Sequence, residues 1–196
     1  MATNFMAQQR APRIPGEVGM WAFIISDLSV FSLYFITFLF ERSQNREAFQ
    51  TGSHALHLTM GVINTLVLLT SSLFVALAAQ ALRGGYGSVA QKYILAAIAG
   101  GLTFVINKPI EWIEKVHAGL GPHHDNFFQL YFMMTGLHLL HVVVGMVVLF
   151  YLWRLAGRVK SAPSERQLRF LENGANYWHL VDLIWLVLFA LFYLVG

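Results

Sequence analysis

Cysteine is absent from this chain of 196 residues. That excludes a disulfide framework, a thiolate metal site and a redox thiol. Charge is scarce as well: Asp, Glu, Lys and Arg make up 12% of the residues, where a soluble domain carries about 25%. There is no Walker-type phosphate loop, no G-x-S-x-G elbow and no H-E-x-x-H pair, so nothing supports hydrolase or nucleotide chemistry. No repeat, linker or composition break marks a second domain, and residues 1–196 are expected to form one. Pro12 and Pro15 precede the first apolar run, which is too long for the h-region of a signal peptide.

What the chain has is apolar surface. It is 57% hydrophobic and 14% aromatic, with mean hydropathy +0.57. A membrane helix needs roughly 20 mainly apolar residues, and five stretches qualify: about 19–40, 57–82, 92–116, 128–153 and 176–195. The third carries Lys108, Pro109, Glu111, Glu114 and Lys115 in its last turns, where Pro109 either kinks it or ends its apolar part. The expected fold is an all-α integral membrane protein, a bundle of five transmembrane helices.

Five spans put the termini on opposite sides. One side then holds Arg10, Arg13, Arg83, Lys92, Arg154, Arg158, Lys160, Arg166 and Arg169; the other holds Arg42, Arg46, Lys108 and Lys115. The positive-inside rule places the N-terminus in the cytoplasm and the C-terminus in the periplasm. The net charge of +3 therefore reports loop placement, not affinity for nucleic acid. Gly100-Gly101, Gly136, Gly145 and Ser71-Ser72 are expected to let helix backbones approach closely. Tyr131, Trp153, Tyr177, Trp178 and Tyr193 lie near span ends and read as interfacial anchors.

The informative residues are the polar ones in apolar surroundings. Asp27 sits in the first span, Asn64 in the second, His138 and His141 in the fourth, His179 and Asp182 in the fifth, with Glu111 at the outer end of the third. A carboxylate in hydrocarbon costs about 2.5–3.5 kcal/mol on insertion scales. An inward-facing network is the economical arrangement, with Asp27 paired to His141 at similar depth. His138 and His141, like His179 and Asp182, are three residues apart and share a helix face. Three readings of the histidines stand side by side: metal or haem ligation through His138, His141 and His179, a proton relay, and a structural network of His, Asp, Asn and Ser. For ligation the carboxylate supply is thin, Asp27 and Asp182 alone. His123-His124-Asp125 reads as a polar turn in an outer loop, and His54 and His57 lie in another.

Several of these residues fall in recognisable patterns. Thr135-Gly136-Leu137-His138-Leu139-Leu140-His141-Val142-Val143-Val144-Gly145 resembles the "TG-aromatic-HG-L-HV-x-x-G" segment of subunit III of haem-copper oxidases. Tyr177-Trp178-His179-Leu180-Val181-Asp182-Leu183-Ile184-Trp185-Leu186 resembles that family's "WHFVDVVWLF" helix. Asn64-Thr65 with Leu68-Leu69 and Ser71-Ser72 is similar to its "NT-x-x-LL-x-SS" helix, and Trp21 with Ser26-Asp27 to its aromatic-rich helix with a membrane carboxylate after Ser. Glu111 resembles the Glu after the family's third helix core here. The matches run through all five spans in order. Two departures stand out. Asp27 replaces the Glu of mitochondrial-type members, as in quinol oxidase and nitric-oxide-reductase-associated members, and there are five spans rather than seven. The stretches Arg13–Trp21 and Phe127–His138 look closest to the accessory protein of bacterial nitric oxide reductases.

The resemblance implies a non-catalytic accessory subunit of a respiratory haem-copper oxidase or nitric oxide reductase, in the bacterial cytoplasmic membrane. It would hold no cofactor of its own apart from structural phospholipid. Haem and copper would sit in the partner, catalytic subunit I. The family's two-part bundle has a V-shaped, lipid-filled cleft and supports proton uptake and durability of the active site. Asp27, His138, His141, His179 and Asp182 would form the proton or polar network, while Glu17, Trp21, Arg83, Asn64 and Glu111 would face lipid or the partner. Two rivals remain: a free-standing membrane metallo- or haem protein using the intramembrane histidines, and a small transporter. The latter lacks visible inverted repeats and has an odd number of spans.

Overall fold

A computed structural model describes residues 17–159 and 163–195. Arg10, Pro12, Arg13, Pro15 and Lys160, and the start of the Arg13–Trp21 stretch, lie outside the described residues. The described residues are helical, with no strand: α1 Val18–Gln44, α2 Arg46–His54, α3 Leu58–Arg83, α4 Gly87–His117, α5 Asn126–Ala156 and α6 Glu165–Phe189, which runs on as a π-helix over Ala190–Val195. Five of these are long and apolar enough to cross a membrane.

The long helices correspond to the five expected spans, with shifted ends. α6 begins at Glu165 rather than near 176, because Ser164 caps it: its Oγ accepts from Gln167 N–H, and the Gln167 side chain accepts from Ser164 N–H. The polar turns that follow are not a loop, since Leu171, Gly174 and Ala175 are buried. α4 begins at Gly87 rather than 92 and passes through Pro109 to His117. Asp125 caps α5 by accepting from Phe128 N–H at 2.8 Å, which gives His123-His124-Asp125 its place as a polar turn. The short helix α2 falls in what reads from sequence as an outer loop. Phe49 anchors it against Phe38 and Phe127, and Gly52 is needed because a Cβ there would lie 2.3 Å from the Phe127 ring.

α3 and α4 form the most extensive helix pair, α4 packs on α5, and α6 closes the bundle against α3 and α5. α1 leans on this four-helix core through one stripe, Ile24, Phe31 and Phe38, and leaves Ile25, Val30, Leu33, Ile36 and Phe40 exposed. The small residues work as expected at three places. A Cβ on Gly101 would sit 2.8 Å from the Trp178 ring, one on Gly145 2.7 Å from it, and one on Gly100 3.0 Å from the Ser71 Cβ. Gly136 is different: its nearest neighbour would be 3.8 Å away, so no close approach requires it. Tyr131, Tyr177, Trp178 and Tyr193 are not interfacial anchors. They are buried, because facing glycines open room for the rings of Tyr177, Trp178 and Tyr193 and because each hydroxyl or indole N–H has a partner inside the bundle. Trp178 Nε1–H donates to Ser71 Oγ at 3.1 Å. Trp153, partly exposed, stacks near Phe150 at 6.0 Å.

Candidate functional site

Asp27 on α1 meets His141 on α5, Oδ1 to Nε2 at 3.1 Å. The pair is only partly exposed, 12% for the Asp27 side chain and 20% for His141. His141 Nδ1 lies 2.7 Å from the Leu137 carbonyl oxygen, an acceptor only, so Nδ1 carries a proton. Nε2 then has two options. It donates to an ionised Asp27, making His141 cationic, or accepts from a protonated Asp27. Asp27 Oδ2 is buried without a hydrogen-bond partner, the Phe31 ring stands edge-on to the imidazole at 5.4 Å, and Tyr177 O–H donates to the His141 carbonyl at 3.2 Å.

The remaining polar residues do not join this pair in one network. His138 lies one turn away but about 60° around the helix axis, enough to enter a different seam. Its ring is fully buried between Phe104, at 5.5 Å, and Trp185, at 5.3 Å, with both nitrogens unpartnered. His179 and Asp182 share a face of α6 toward α3. His179 Nδ1 bonds Ser72 Oγ at 2.6 Å, and Asp182 is 7% exposed with Oδ1 unpartnered. The expected network is thus several clusters, each inside one helix seam. Among the described residues no three His, Asp or Glu side chains converge as a metal site would need.

Glu17, Trp21 and Arg83 gather at one end of the bundle and are exposed. Glu17 N–H donates to Asn173 Oδ1 at 3.0 Å, and Arg83 bridges to Glu172 at 3.1 Å. Trp21 lines a groove of about 300 Å³ between α1 and α6, together with Asn176 and His179. Asn64 and Glu111 correct the expectation that they face lipid or a partner. Both are enclosed, at 0% and 1% exposure, because polar partners inside the bundle meet their oxygens, although Asn64 Nδ2 is buried without a hydrogen-bond partner. Asn107 Nδ2 donates to Asn64 Oδ1 at 2.9 Å.

Glu111 belongs to a cluster that a residue-by-residue reading misses. Lys108, fully buried, donates to Glu111 at 2.8 Å, to the Tyr131 hydroxyl at 2.9 Å and to the Tyr193 hydroxyl at 3.0 Å. Tyr193 O–H donates in turn to Glu111 at 2.6 Å. The signal in the sequence is the Lys108–Glu111 spacing of three, level with two tyrosines that end other spans.

Residues 8–196 match the sequence profile of a family described as cytochrome c oxidase subunit III. The chain belongs to that family. A cytochrome c oxidase subunit 3 from Synechocystis sp. is 29% identical over 177 residues, covering 90% of this chain and 74% of the relative. A probable quinol oxidase subunit 3 from Staphylococcus saprophyticus is 24% identical over 181 residues, 92% of this chain and 89% of the relative. A heme-copper oxidase subunit I+III from Aeropyrum pernix is 31% identical over 187 residues, and the chain spans 22% of its length. The subunit III family and the five apolar helices together make this a multi-pass membrane protein.

Proposed function

We propose that this chain is a non-catalytic accessory subunit of a respiratory haem-copper oxidase or nitric oxide reductase. It packs as one domain against the catalytic subunit in the bacterial cytoplasmic membrane, N-terminus inside. The observation that carries the reading is the family match over residues 8–196, joined to a relative whose name places subunits I and III in one polypeptide. The α1 face left bare by its single packed stripe is a suitable surface for the partner, and phospholipid fills the groove between α1 and α6. Haem and copper belong to the partner. This chain supports assembly and proton uptake, and Asp27 with His141 holds the proton it contributes.

The test is affinity purification of the tagged chain in mild detergent, with mass spectrometry and a visible spectrum of what copurifies. A haem-bearing catalytic subunit is expected, and its identity separates oxidase from nitric oxide reductase. Recovery of the chain alone overturns the reading. A narrower prediction concerns Asp27→Asn, which keeps the shape and removes the titratable proton. Assembly should be unchanged, while proton-coupled turnover or the active lifetime of the partner falls severalfold. Unchanged turnover and lifetime leave the pair a packing role only.

A further inference from the structure

Two rows of side chains meet where α1 leans on α5. Phe23, Asp27 and Phe31 follow one another at four-residue spacing on α1, and Leu137, His141 and Gly145 do so on α5. The imidazole is held within its own row by the Leu137 carbonyl and from the facing row by Asp27 and the Phe31 ring. The spacing between the rows needs its own support, because α1 packs through one stripe only. Towards α6 it parts from the bundle around the groove of about 300 Å³ lined by Ile24, Leu28, Leu180 and Leu183. Bulk packing therefore fixes the α1–α5 distance only weakly at the depth of Asp27.

Tyr177 on α6 touches both rows. Its ring lies beside Gly145, where a Cβ would stand 3.4 Å from Cε1. That bare stretch of α5 backbone lets the hydroxyl reach the His141 carbonyl at 3.2 Å. A carbonyl has two lone pairs, so it takes this bond beside its helical one. The same ring stands 5.9 Å from Phe23, one turn before Asp27. One turn before Tyr177, Asn173 Oδ1 accepts the Glu17 N–H at the start of α1. α6 thus holds α1 at two successive turns and the backbone of the imidazole-bearing residue at one. A buried ring with a partner for its hydroxyl accounts for a tyrosine in the seam, but not for the choice of the His141 carbonyl.

We propose that Tyr177 is the positioning residue of the Asp27–His141 pair. Its hydroxyl fixes the α5 turn that carries the imidazole, and its ring fixes the α1 turn that carries the carboxylate. The inference rests on the role proposed above for the pair only where activity is measured; the contact itself is measured without it.

Its test uses the protein purified in mild detergent with any partner it retains, isotope-labelled at the histidine nitrogens for magnetic resonance. The His141 resonances are those missing from His141→Gln, and their position and pH dependence report the hydrogen bond to Asp27. Asp27→Asn should move them. Tyr177→Phe, which keeps the ring and loses the hydroxyl, should move them in the same direction and by less. Tyr177→Leu, which also gives up Phe23, should move them further. Tyr151→Phe, on the exposed side of α5, should leave them in place. Where a catalytic partner copurifies, Tyr177→Phe should lower its turnover or active lifetime about threefold to tenfold, the weight of one neutral hydrogen bond. In an Asp27→Asn background the same change should add nothing, since both act through one contact. His141 resonances unmoved in Tyr177→Phe overturn the inference. So does a loss of equal size with and without Asp27, the mark of plain packing. Normal turnover in Asp27→Asn would instead overturn the proton role of the pair, and the His141 resonances would then decide the place of Tyr177 alone.

Discussion

Lys108 has three N–H donors and three acceptors to meet them, Glu111, Tyr131 and Tyr193. That completeness is what makes a buried ammonium tolerable. Removing one partner of a buried pair strands the other, at about 3–5 kcal/mol, whereas replacing both with apolar groups is often neutral or stabilising. Lys108→Met and Glu111→Gln should each lower stability by about that amount in unfolding titrations in detergent, and Lys108→Met with Glu111→Leu should recover most of the loss. Two single variants that cost less than about 1 kcal/mol, the range of solvated surface pairs, would mean that water reaches the cluster. Tyr193→Phe is the gentler probe. It deletes one donor to Glu111 and one of the three acceptors of Lys108, and should cost about 1.5–3 kcal/mol.

At the scale of elements, close approach of helices follows from single positions. Trp178 on α6 lies over Gly101 of α4 and Gly145 of α5 at distances that leave no room for a methyl group. Gly145→Ala should therefore overpack the seam and cost about 1–3 kcal/mol. Gly136→Ala, where the space is open, should leave the melting temperature unchanged or raise it. Equal effects at the two positions would remove the packing argument. The same comparison shows what the sequence can carry. Hydropathy located all five long helices, because twenty apolar residues have few other uses. The start of α6 was illegible by that measure, since a capping box and a partly buried polar face set it, not apolar length. α2 was missed for a related reason: nine residues of low apolarity are held by one phenylalanine, Phe49. Asp27 was legible as a costly group and His141 as its partner by depth. His138 and Lys108 were not, because spacing gives the face a side chain leaves from and not the seam it enters.

Topology belongs to the whole molecule and turns on an imbalance of charge. With five crossings, the end of the bundle that holds Glu17, the Gly84–Tyr86 turn and Ser164 lies opposite the end that holds α2 and residues 118–125. Arg83, Lys92, Arg154, Arg158, Arg166 and Arg169 sit at the first end, and Arg42 and Arg46 at the second. Lys108 and Lys115, which the sequence reading assigns to the second, are buried at 0% and 4% exposure and ought to weigh less as loop charges, which sharpens the bias. By the positive-inside rule the first end is the one proposed to face the cytoplasm. The absence of cysteine makes the test clean, since any introduced thiol is the only one. In intact cells a membrane-impermeant maleimide should label Gly121→Cys and leave Ser88→Cys unlabelled until the membrane is permeabilised. Both positions are exposed or half-buried, so failure to react reports the side of the membrane and not burial. The reverse pattern would invert the molecule, while labelling of both from outside would contradict an odd number of crossings between them.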